Sequence, residues 1–240
     1  MNLDRNIRIL ERKAYESRRI LGIDIESPVD FKYLKNKLSR ITNVEYPLSK
    51  GFCGLIYKID TDRAVIVINS NLPLGKQNFT FAHELYHLHY SSGETKICTF
   101  NESFMHRKKD EEEVLADIFA SYFLMPRFAF LDFFHKECKD EICVESAIKL
   151  ENYFHVNRFT VVSRLQFELN LTNQESKKLM EIDKEKITSL GYSLELYEKK
   201  SDSSVPSVDG YYNKLCEKLL NENKISSGKY KEIIEVFKME

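Results

Sequence analysis

The period of the apolar positions changes several times along the chain, and each change marks a different element. Asn2 to Leu21 carries many charges over a helical apolar spacing, and Ser27-Pro28-Val29-Asp30 opens a second helix running to Leu38. Val44-Glu45-Tyr46, Gly54 to Asp60 and Arg63 to Asn69 are short β-rich runs, the last two joined by a polar turn at Asp60-Thr61-Asp62, and they predict a small sheet. Within the third, Ala64-Val65-Ile66-Val67-Ile68-Asn69 has the composition of a buried strand. A turn with Asn71, Pro73 and Gly75 follows. Asn78 is then read as the N-cap of a helix whose apolar side is Phe79, Phe81, Ala82, Leu85 and Leu88. Val114, Leu115, Ile118, Phe119, Tyr122 and Phe123 predict a further helix ended by Pro126, and Glu145 to Asn170 is helical again. Lys199 to Gly210, rich in Ser and Asp, has linker composition and precedes a short helical pair in 211–240. No internal repeat is present.

The chemistry lies on the helix after the buried strand. His83-Glu84-Leu85-Tyr86-His87 places two imidazoles four residues apart, so both share one helical face and can bind one metal ion. Zinc suits that pair, and Glu84, next to the first histidine, can reach a bound water as its base. The bland alternative is two surface histidines on an amphipathic helix; the order strand, loop, helix argues against it. A catalytic zinc needs a third ligand. In the downstream helix Glu113 and Asp117 sit four apart on one face, so Glu113 can ligate while Asp117 orients a ligating histidine. Asp110, Glu111 and Glu112 are read instead as acidic complements to the helix N-terminus. A donor for the tetrahedral oxyanion is sought among Tyr90, His89, His106 and Tyr122, with His106 more readily read as a surface residue.

These two blocks, Phe79-Thr80-Phe81-Ala82-His83-Glu84-Leu85-Tyr86-His87 and Glu113-Val114-Leu115-Ala116-Asp117-Ile118-Phe119-Ala120 running into Phe123-Leu124-Met125-Pro126, resemble the ImmA/IrrE-type metallopeptidases. The looser likeness covers roughly residues 1 to 170. Two positions depart from it: Tyr86 stands where the family often has glycine, and Ser91 where many members have another histidine. The resemblance implies a zincin-like α+β fold, a small mostly antiparallel sheet packed with the metal-bearing helices. It also implies one zinc ion on His83, His87 and Glu113, and a substrate that is a separately encoded helix-turn-helix repressor or antitoxin. The expected organisation is a peptidase core over 1–140, a helix-turn-helix-like region over 141–198, a linker over 199–210 and a helical appendage over 211–240. The alternative function is a zinc-stabilised regulatory or toxin protein that works by binding a partner or DNA without significant proteolysis.

Composition narrows the remaining choices. Across 240 residues, 42% hydrophobic and 30% charged content is that of a water-soluble chain, and no stretch reads as a membrane span. The charged N-terminus lacks an apolar signal-peptide core and the five cysteines form no evident disulfide framework, so a cytoplasmic location is expected. His135, Cys138 and Cys143 lack a fourth ligand and are read as a histidine and free thiols on a helix. Phe154-His155-Val156-Asn157 followed by Thr160 to Leu165 has the pattern of a helix-turn-helix, yet the net charge is -1 and only Arg158 and Arg164 are positive in its second helix. Direct nucleic-acid binding is therefore not expected. Ser91 to Lys109 is expected to wall the substrate cleft, and Asn69 to Asn71, taken as the end of an edge strand, to pair with an extended peptide.

Overall fold

The structure, a computed structural model, describes residues 3–93, 95–99, 110–199 and 206–235. Helix α1 (Leu3–Leu21) buries Ile7, Leu10, Ala14, Ser17 and Arg18, one stripe at helical spacing, and packs on α4 (Glu111–Leu124). Arg18 is completely buried, its guanidinium donating to the carbonyls of Asp24, Ser27 and Phe123, the last at 2.6 Å. It joins the end of α1 to the end of α4, and burial lowers its pKa to about 10. Asp30 caps α2 (Phe31–Lys37) by accepting from the Tyr33 N–H at 3.0 Å, as the Ser-Pro-Val-Asp signal predicts.

Strands β1 (Ile41–Tyr46), β2 (Phe52–Lys58), β3 (Ala64–Asn69), β4 (Thr95–Thr99) and β5 (Ser207–Gly210) form one sheet in the order β4-β2-β3-β1-β5. Only β1 and β3 run parallel; the other three pairings are antiparallel. The β2–β3 hairpin closes through Asp60, whose Oδ1 accepts from the Asp62 and Arg63 N–H groups. Ala64, Ile66 and Ile68 alternate inward and carry the core that also holds Phe81, Leu85, Phe119 and Phe123. Each such buried side chain contributes roughly 1.5–3 kcal/mol over its exposed state.

Three expectations need correction. β3 is a central strand, flanked by β2 and β1, so Asn69 to Asn71 do not end an edge strand. Asn69 is buried and pins the adjoining loops instead, accepting from the Leu48 and Asn71 N–H groups and donating to the Phe52 carbonyl at 2.7 Å. Asn78 is not a cap: α3 (Leu74–Tyr90) begins behind Pro73, where the Leu74 N–H finds the Glu195 carbonyl at 3.0 Å. And of the span expected as linker, Ser207–Gly210 is strand, held by its pairing with Thr42–Glu45 and by the Asn213 amide on the Val208 carbonyl.

The helical part continues with α5 (Arg127–Cys138), α6 (Val144–Phe154), α7 (Arg158–Leu169), α8 (Asn173–Leu179), α9 (Lys184–Ser189), α10 (Tyr211–Asn221) and α11 (Ser227–Glu235). The α6–α7 turn has the expected helix-turn-helix form, with His155 left-handed at φ 54 and Asn157 capping α7 through the Thr160 N–H. Its two arginines point inward. Arg158 forms a two-pronged pair with Glu151 at 2.8 and 2.9 Å and caps the carbonyls of Leu179 and Glu181, while Arg164 lies on the Tyr122 ring and bonds Glu168. Among the described residues no single helix is long and apolar enough to cross a membrane.

Candidate metal centre

Helix α3 is buried for most of its length because it is packed between the sheet and α4. Gly54 on β2 permits that approach: a Cβ there would stand 2.6 Å from the Val67 carbonyl oxygen and 2.8 Å from Thr80 Cγ2. One face of α3 carries His83 and His87, and α4, capped by Asp110, presents Glu113 and Asp117 to it.

The Nε2 atoms of His83 and His87 are 3.1 Å apart, and each is 3.2 Å from one oxygen of Glu113. Four donors about 2.0–2.1 Å from a tetrahedral zinc are separated by roughly 3.4 Å, so this trio fits such an ion with little movement. The outer ring nitrogens are held as well. His83 Nδ1 is 2.9 Å from Asp117 Oδ1, and His87 Nδ1 is 2.7 Å from Ser91 Oγ. Both contacts turn Nε2 toward Glu113 and keep it free to bind. The sequence marks Ser91 as a departure from the family pattern but not as the partner of His87, although it stands four residues beyond His87 just as Asp117 stands four beyond Glu113.

The charges of the group follow from the same contacts. Burial pulls the His83 imidazole down, but hydrogen bonds to Asp117 and Glu113 outweigh it and hold its pKa at about 10. Burial pushes Glu113 up, and the two imidazoles more than reverse that, leaving it well below the usual carboxylate range. An ion bound here takes the place of the His83 proton. Glu84 differs from both. It is fully buried, neither oxygen has a hydrogen-bond partner among the described residues, and burial raises its pKa to about 8 against the opposing pull of His83. A buried carboxylate without a donor is costly unless a water or an ion supplies one.

Of the four residues considered as oxyanion donors, the three among the described residues, Tyr90, His89 and Tyr122, are not gathered at the trio. Tyr122 lies nine residues beyond Glu113, about 180° around the helix at 3.6 residues per turn, and its hydroxyl donates to Glu168 at 3.1 Å. The Tyr90 hydroxyl is 3.1 Å from Ser17 Oγ on α1, and His89 is exposed with its ring against Tyr90. His106, and most of the expected cleft wall with it, lies outside the described residues. His135 turns to Asp140 at 2.7 Å, and Cys138 and Cys143 are free thiols.

Comparison with curated proteins finds no match for the chain. Residues 43–166 match the IrrE N-terminal-like domain of the family Peptidase_M78. That span runs from within β1 to within α7, and hence takes in the whole His83, His87 and Glu113 group together with the α6–α7 turn. The chain therefore belongs to the IrrE N-terminal-like peptidase family, and its function is of the metallopeptidase type.

Proposed function

We propose that the protein is a zinc-dependent endopeptidase whose substrate is a separately encoded regulatory protein, a helix-turn-helix repressor or antitoxin, met in the cytoplasm. The observation that carries the chemistry is Glu84: a fully buried carboxylate whose two oxygens have no partner among the described residues, adjoining three side chains spaced to hold one divalent ion. His83, His87 and Glu113 hold zinc, and Asp117 and Ser91 fix the two imidazoles. When bound, zinc supplies Lewis acidity, lowering the pKa of its water towards 7 and polarising the scissile carbonyl. Glu84 accepts a proton from the attacking water and delivers it to the leaving amine. Among the described residues β4 is the sheet edge on this side, and an extended peptide added to it would lie along the centre, a role that Asn69 to Asn71, at the end of a central strand, cannot fill.

The partner assignment rests on the resemblance and on what this chain's own helix-turn-helix-like segment offers. Arg158 and Arg164 are buried in carboxylate pairs, so neither is available to phosphates, which supports action on a protein rather than on duplex DNA. The test is co-expression with a small helix-turn-helix protein encoded beside this one. Wild type should cut that protein once. Glu84→Gln should retain metal, fold and partner binding while cleavage falls by about 10²–10⁴-fold. Equal cleavage by both forms removes Glu84 as the base. Equal regulatory effect in cells with no cleavage by either replaces the peptidase reading with the binding one.

A further inference from the structure

Strand β4 brings a thiol to the metal centre. Cys98 is only 9% exposed, and its Sγ, a ring nitrogen of His83 and a carboxylate oxygen of Glu84 all lie within 4.8 Å of one another. All three side chains are nearly or fully buried, and Glu84 enters the group with neither oxygen partnered among the described residues. The β2–β4 register shifts between Phe52 and Gly54, at Cys53. Its thiol meets the Cys98 thiol in a hydrogen bond, so two sulfurs from adjacent strands stand side by side in the wall of the centre.

We propose that His83, Glu84 and Cys98 form a second metal position, for a thiophilic divalent cation, beside the one made by His83, His87 and Glu113. With Nδ1 engaged by Asp117, His83 has Nε2 left to bind, and that atom has one lone pair. A single ion therefore occupies one position or the other. The two differ in chemical softness: two imidazoles and a carboxylate in the first, a thiolate with one imidazole and one carboxylate in the second, and thiolate selects soft ions. A tetrahedral ion needs its donors about 3.5 Å apart, so a group whose atoms lie within 4.8 Å of one another closes on it by at most roughly 1 Å of side-chain movement. Binding expels the Cys98 thiol proton to solvent together with the protons that His83 and Glu84 hold in the metal-free protein, and makes Glu84 a ligand. The consequence, that an ion in this position withdraws the base and silences hydrolysis, rests on the peptidase reading; the binding itself does not.

The full-length chain, stripped of metal with a chelator, is titrated with cadmium(II). The expected result is a thiolate-to-metal charge-transfer absorption saturating at one ion per chain, with Cys98 protected from alkylation as mapped by mass spectrometry. Cys98→Ser should lose the absorption entirely, whereas Cys138→Ser, Cys143→Ser and Cys216→Ser should keep it. Glu84→Gln should weaken cadmium binding by about 10-fold or more. Cadmium bound without the absorption, absorption that survives Cys98→Ser, or Cys98 labelled equally fast with and without cadmium would each overturn the second position. The labelling arm uses unaltered protein, so it decides the matter even where Cys98→Ser fails to fold. Zinc bound in the same preparation while cadmium gives no thiolate signal overturns this position alone; failure to bind either ion overturns the whole metal centre.

Discussion

The imidazoles of His83 and His87 are each held by a different kind of partner, and that asymmetry has a measurable result. Asp117 gives His83 a charged acceptor, whereas Ser91 gives His87 a neutral hydroxyl. Outer partners of metal-bound histidines typically carry 10–100-fold in affinity, so Asp117→Ala should weaken zinc binding towards the upper end of that range and Ser91→Ala towards the lower. Competition against a chelator of known affinity measures both. Equal losses would mean that the hydroxyl orients its ring as firmly as the carboxylate, and no loss for Ser91→Ala would remove it from the site. The same residues set an unusual pH dependence in the metal-free protein. His83 is raised from 6.5 to about 10, so the stability it contributes is complete below 6.5 and is lost as pH rises through 10. Glu84 is raised from 4.5 to about 8, so the folded state holds its proton more tightly and stability is likewise lost as pH rises across that interval. Thermal melts of the chelated protein should therefore show Tm falling from mildly acidic to alkaline pH, and Glu84→Gln should flatten the acidic half of the slope. A Tm that rises over the same range would contradict both assignments. Much of this was legible in the chain itself, because His83 with His87 and Glu113 with Asp117 are local pairs whose spacing alone puts them on one helical face. Ser91 repeats that spacing but offers no metal chemistry to draw attention to it. Cys98 reaches Glu84 only through strand pairing, which no local pattern encodes.

Among the elements, those stabilised by local contacts were readable and those stabilised at a distance were not. The Asp30 cap, the Asp60 turn and the helix ended by Pro126 all follow from neighbours within a few residues. The start of α3 does not. Its first turn is satisfied from the far end of the chain: Glu195 accepts from the Leu74 N–H, the Asn78 amide donates to the His155 carbonyl at 2.9 Å, and Gly75 packs on the backbone of Val156 and Asn157. β3 looked like an edge because the sequence does not show that β1 pairs with it in parallel from the other side. The α6–α7 turn thus acts as a footing for α3, which gives the helix-turn-helix pattern a structural use. Gly75→Ala tests that footing. The added Cβ would stand 2.9 Å from Val156 C and from Asn157 N, both backbone atoms that cannot rotate away. Overpacking of this kind costs about 1–3 kcal/mol, which lowers Tm by about 3–10 °C in a chain of this size. Differential scanning calorimetry on the zinc-loaded protein measures it. An unchanged Tm would show that the turn and α3 are loosely joined.

At the scale of the whole molecule, the sheet separates the metal centre from the C-terminal appendage. β4, with Cys98 beside His83 and Glu84, is one edge, and β5, followed by α10 and α11, is the other. Between them β2 and β3 carry α3, so the group of His83, His87 and Glu113 rests on strands that do not pair with β5. The appendage covers the outer side of β1 through four residue pairs from Thr42 to Glu45, and Lys214 reaches the Asn36 carbonyl from α10. Truncation after residue 198 removes all of these contacts at once. Cross-strand pairs contribute roughly 0.2–1 kcal/mol each, so four of them represent about 1–4 kcal/mol. The shortened chain should still melt in one cooperative transition and bind one zinc ion, with Tm lowered by a few degrees. Its β1 edge, now unpaired, presents open N–H and C=O groups that recruit another strand. Self-association should follow, and light scattering coupled to size exclusion should show it growing with concentration while metal content per chain stays constant. Loss of zinc or of the cooperative transition would make the appendage part of the same folding unit as the metal centre. An unchanged Tm without association would instead mean that β5 contributes nothing to the sheet it closes.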